Sequence, residues 1–105
     1  SEEDIHKSLK SKVYLSIAEI YFEQNLNEKS MDYLELAAKS IKDRSEKDQI
    51  YFRIADLSFK QADYKRSLFA YKEVIKNTQI KSRMQLCNLK IVQIYRLQMR
   101  NKIIP

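Results

Sequence analysis

The chain has 105 residues, 32% of them charged and 10% aromatic, with a formal net charge of +6. It holds no glycine, one proline at the last position, one cysteine and one histidine. That length supports one domain with a modest core. The lack of glycine argues against two-residue hairpins and phosphate-cradling loops, so an all-helical chain is expected.

No apolar run approaches the length of a membrane span, and no signal-peptide pattern opens the chain, so a soluble domain is expected. Ser1 stands where an initiator Met would be, which suggests a trimmed piece of a longer protein and leaves a cell-envelope or periplasmic location open. The single Cys87 cannot form an internal disulfide. Abundant Lys, Ile, Asn and Tyr point, by composition alone, to an AT-rich and bacterial genome.

The first helix is expected from about Asp4, behind an acidic start that suits a helix N-terminus. Ile5, Leu9 and Val13 fall four apart; Tyr14, Ile17, Ala18 and Tyr21 share one face, Leu15 and Phe22 another. Residues 25–27 break the pattern, with Asn27 as the expected cap. The second helix is predicted over 28–42, burying Ser30, Leu34, Ala37, Ala38 and Ile41. Ser45 with Asp48 resembles a capping box for the third helix. That helix buries Ile50, Tyr51, Ile54, Ala55 and Ser58, while Phe52 and Phe59 form a rotated second stripe. A tight turn follows at 61–63, where Asp63 is a good N-cap. The fourth helix carries Tyr64, Ser67, Leu68, Tyr71, Val74 and Ile75 on one face. Asn77-Thr78 is the next break. Ser82 with Gln85 offers another capping box, so a fifth helix begins between 78 and 83 and frays near Arg100. Its main stripe is expected to be Met84, Cys87, Asn88, Ile91, Val92 and Tyr95, leaving Leu86, Leu89, Ile94, Leu97 and Ile103-Ile104 outside it.

The same pattern recurs at a spacing of 37: Tyr14, Tyr51 and Asn88; Ile17, Ile54 and Ile91; Ala18, Ala55 and Val92; Tyr21, Ser58 and Tyr95. In the second helices Ser30 matches Ser67, Leu34 matches Tyr71 and Ala37 matches Val74. At these residues the chain resembles the tetratricopeptide repeat family, and Ala62-Asp63-Tyr64 is similar to that family's Gly-Asp-Tyr turn. The spacing exceeds the usual ~34 residues, and the proline that ends each repeat is missing at Lys42 and Gln79. The resemblance implies an all-α fold: a right-handed superhelix of antiparallel hairpins with five helices in one domain. Its repeats would span 11–47 and 48–84, with a partial repeat over 85–105.

Enzyme chemistry is poorly supported. His6 and Cys87 lie on different helices, and a catalytic thiol pair would need them to meet. A closed zinc site needs four ligands. No catalytic residue, metal or cofactor is therefore expected, and carboxylate pairs such as Glu19 and Glu23 read as solvated.

The resemblance instead implies a protein-binding adaptor or scaffold module whose concave groove is lined by the first helix of each pair. The family's ligand-facing positions map to Leu15, Glu19, Phe22 and Glu23, then Phe52, Asp56, Phe59 and Lys60, then Leu89, Gln93 and Arg96. Apolar rungs with acids between them would suit an apolar, locally basic segment. Some family members clamp a chaperone's C-terminal carboxylate with Lys, Asn and Arg. The matching positions here are Leu15, Glu19, Asp56, Leu89 and Gln93, none of them basic, so a carboxylate would meet like charge.

Charge is uneven. Residues 74–105 hold seven basic side chains and no acid. Lys81, Arg83, Lys90, Arg96, Arg100 and Lys102 form a candidate basic surface for nucleic acid or anionic membrane. No nucleic-acid motif accompanies it. Two further alternatives are a purely structural segment of a longer array and a homodimer through the final helix. A head-to-tail contact onto Glu19, Glu23 and Asp56 of a second copy would be a variant of the latter.

Overall fold

A computed structural model describes residues 1–103; Ile104 and Pro105 lie outside the described residues. Five helices follow in order: α1 (Glu2–Glu23), α2 (Asn27–Ser40), α3 (Arg44–Lys60), α4 (Tyr64–Asn77) and α5 (Lys81–Ile103). Each junction between them is three residues long, which forces neighbours to run antiparallel. α1 packs on α2, α2 on α3, α3 on α4 and α4 on α5. The link 41–43 between the pairs is as short as the turns within them, so the extra length of this repeat sits in the helices.

The two turns inside the pairs are built alike. Leu26 N–H donates to Tyr21 O at 2.9 Å and Asn25 N–H to Phe22 O at 3.0 Å; Asp63 N–H to Ser58 O and Ala62 N–H to Phe59 O repeat them at 2.9 and 3.0 Å. These are Schellman closures, which need a left-handed residue just past the helix. With no glycine in the chain, Asn25 and Ala62 take that role at φ 61° and 59°.

Several expected boundaries shift. α1 starts at Glu2, because Ser1 Oγ accepts from Asp4 N–H at 3.3 Å. Asn27 is not a cap but the first residue of α2; Leu26 holds the cap position without a side-chain bond. α2 ends at Ser40, since Ile41 turns extended and buries its side chain. Asp43, not Ser45, caps α3, accepting from Ser45 N–H at 2.8 Å and Glu46 N–H at 3.2 Å. Asp63 caps α4 as expected, accepting from Arg66 N–H at 3.2 Å. Ser82 lies inside the first turn of α5. The entry to α5 is held instead by Thr78 Oγ1, which accepts from Ile80 N–H at 3.0 Å.

The core runs through all five helices. Ala18 and Ala55 are fully buried at equivalent points of the two pairs, as are Ser30 and Ser67, Leu34 and Tyr71, Ala37 and Val74. Small residues let the helices approach: Ser30 Oγ donates to Ala18 O across the first pair at 2.8 Å.

α5 departs from its expected stripe. Cys87 and Ile94 are fully buried, with Met84, Ile91 and Leu97 partly so, while Asn88, Val92 and Tyr95 are exposed. Helix packing explains the rotation. In α3 the equivalents Tyr51, Ala55 and Ser58 are covered by α4, the second helix of the pair. Within the described residues the backbone of α5 approaches only α4, with Arg83 and Lys90 reaching across to α3, so the face it buries is the one turned to the preceding pair.

Candidate partner-binding face

The first helices of the pairs, α1, α3 and α5, are bridged to one another by side chains alone. Phe22 on α1 stays partly open, at 38% exposure, and Phe52 and Phe59 on α3 are half-buried. The neighbouring Tyr51 and Ile54 are buried. This difference follows from the two stripes read in the sequence: one faces the pair's second helix, the other faces outward along the first-helix layer.

Each phenylalanine lies beneath a cation from the next first helix. The Arg53 guanidinium sits 5.3 Å from the Phe22 ring centroid, Arg83 lies 4.9 Å from Phe52, and Lys90 Nζ lies 4.3 Å from Phe59. Exposed cation–π contacts of this kind contribute roughly 0.5–1 kcal/mol each. Phe22 with Arg53 and Phe59 with Lys90 are the same contact repeated at a spacing of 37.

The two contacts then diverge. Arg53 also pairs with Glu19, because a planar fork can stack on a ring and donate to a carboxylate at once. That hydrogen bond outweighs the opposing loss of water and, with the Arg53 charge, holds the Glu19 carboxyl below its ordinary value. At the second level Lys90 offers only a point charge, and Asp56 pairs instead with Lys60 of its own helix at 3.7 Å. Arg83 Nη1 donates at 3.0 Å to Asp48, a carboxylate only 2% exposed. Asp48 is thus an anchor for α5 rather than part of a capping box. The second helices are tied similarly: Arg66 bridges Asp32 at 2.6 Å and Glu35 at 3.3 Å.

The expected site residues are therefore disposed unequally. Glu19, Phe22, Phe52 and Phe59 are brought into one layer with Arg53, Arg83 and Lys90. Leu15 is half-buried beside a shallow cleft with Ser11, Ile41 and Ile50. Asp56 is half-buried, while Glu23, Lys60, Leu89, Gln93 and Arg96 are exposed. The strip is not acidic as expected but mixed, because cations from the following helix fold over it. Of the candidate basic surface, Arg83 and Lys90 turn toward α3, and Lys81, Arg96, Arg100 and Lys102 are exposed. Arg53 escaped the sequence reading, although its spacing of 37 from Lys90 was visible.

His6 is exposed on α1 and Cys87 buried on α5. Burial, with the nearby Asp48 charge, pushes the Cys87 thiol up to about 11. Among the described residues no cluster of three or more His, Cys, Asp or Glu could hold a metal ion. No helix among them is long and apolar enough to cross a membrane.

Comparison with known families matches the tetratricopeptide repeat at residues 11–44 and 48–79. No curated protein and no solved structure gives a significant match. Two tandem matches cover most of the chain and coincide with the α1–α2 and α3–α4 pairs. Repeats of this kind generally mediate protein–protein interaction or scaffolding. The chain belongs to the tetratricopeptide repeat family.

Proposed function

We propose that the chain is a non-enzymatic module that binds a partner segment along the α1–α3–α5 layer. The observation that carries this reading is the row Phe22, Phe52 and Phe59. These three large apolar side chains keep part of their surface open in one layer, beside the buried Tyr51 and Ile54. Aromatic anchors ringed by polar groups are the pattern of interaction hot spots. The segment that fits is apolar with charges of both signs, since Glu19 and Asp56 are partly neutralised by Arg53 and Lys60.

The test is selection of peptides from a displayed random library on the wild-type chain. The enriched peptides are then titrated against Phe22→Ala/Phe59→Ala. Loss of two anchors is expected to weaken binding by about tenfold or more, corresponding to roughly 1.4 kcal/mol or more. Peptides that bind the double variant as tightly as the wild type would refute the assignment.

A further inference from the structure

The first and last described helices, α1 and α5, carry exposed apolar faces that match each other. On α1, Ile5, Leu9, Val13 and Ile20 recur at helical spacing, and all are more than half exposed. Exposed Glu2 and Glu23 stand at the two ends of the same row. On α5, Leu89, Val92 and Met99 form an exposed row with Arg96 and Arg100 among them. α1 contains five acids and three lysines, whereas α5 has six cations and no acid. The helices are 22 and 23 residues long, about 33 Å each, so they match along their whole length.

The repeat itself shows what the α1 row is shaped for. Val13, Ile50 and Cys87 are equivalent, as are Ile20, Leu57 and Ile94. On α3 and α5 those positions are wholly or partly buried, Ile50, Cys87 and Ile94 most deeply, on helices that pack against the preceding pair. Only on α1 do they face water.

We propose that the α1 face of one copy docks on the α5 face of a second copy, so that chains associate end to end. Antiparallel packing, as between all neighbours within the chain, sets Glu2 near Arg96 and Arg100, and Glu23 near Lys81. The contact uses the end faces alone and is independent of the phenylalanine row. A two-fold dimer through α5 is less suited, because it sets this cationic face against itself with no acid to offset it. An end-to-end contact is heterologous and propagates as an open chain unless the rotation closes it. One helix against one helix is a small interface, so association is concentration-dependent.

Sedimentation velocity on the full chain tests this with two variants at exposed positions, Val13→Glu and Leu89→Glu, at 55% and 58% exposure. Circular dichroism confirms that each folds. The wild type is expected to grow beyond a dimer with concentration, and less so at high salt, which screens the charged ends. Each variant alone is expected to fall to the 12.6 kDa monomer. Mixed in equal amounts, they should form a dimer that grows no further, since each contributes one intact face. The proposal is overturned if the wild type stays monomeric, if Val13→Glu still self-associates through α5, or if the mixture stays monomeric.

Discussion

The rotation of α5 yields a sharp comparison between two substitutions on one helix. Ile94 is fully buried and Val92 is 45% exposed, whereas the repeat pattern alone assigns Val92 to the core and Ile94 outside it. Ile94→Ala removes three carbons. At about 0.8 kcal/mol per buried methylene the transfer loss is roughly 2.4 kcal/mol. A residual cavity would add to this, although the backbone of α5 approaches a single helix and can settle inward. We therefore expect about 2–3 kcal/mol, toward the low end of the range for such truncations. Val92→Ala removes two carbons from a half-open site and should cost less than about 1 kcal/mol. Because the backbone of α5 approaches only α4 among the described helices, the loss should appear first as local opening of α5. Cys87, buried on that helix with its thiol pushed up to about 11, is the reporter. Its labelling by a thiol reagent at mildly alkaline pH requires α5 to open. A loss of 2 kcal/mol should speed labelling by about thirtyfold in Ile94→Ala, and Val92→Ala should change it by less than about fivefold. Faster labelling in Val92→Ala than in Ile94→Ala would refute the packing of α5 on α4.

Two further outcomes follow from local geometry and charge. Ala62 closes the α3–α4 turn at φ 59°, a conformation that costs a non-glycine residue roughly 1–2 kcal/mol; Ala62→Gly should raise the melting temperature, with the gain trimmed by glycine's unfolded-state entropy, and a lower melting temperature would contradict the turn. Glu19 is held below its ordinary value of 4.5 by Arg53. A depressed carboxyl stabilises the fold above its unfolded value and loses that contribution as pH falls through the folded value. With half of the side chain exposed, the effect is a few tenths of a kcal/mol. The stability gap between wild type and Glu19→Gln should therefore narrow as pH drops below 4.5, and a gap that persists in acid would show that the pair contributes nothing.

The helices, their pairing and the repeat were legible in the residues because their causes are local. Helical spacing of apolar side chains, the Asp63 cap and the recurrence of small residues at Ala18 and Ala55 act within one or two turns of chain. The division between buried Tyr51 and part-open Phe52 was legible for the same reason, since adjacent residues on a helix point about 100° apart. Other features depended on which surfaces meet. Asp48 reads as a helix-start residue, and only the approach of α5 makes it a buried partner of Arg83. The acidic strip becomes mixed only when Arg53 and Lys90 reach across from the next helix. Ile94 and Val92 exchange places because α5 has a neighbour on one side and none, among the described residues, on the other. Periodicity shows that a helix has an apolar face; which face is dry depends on helices up to dozens of residues away, and that information exists only in the packed structure.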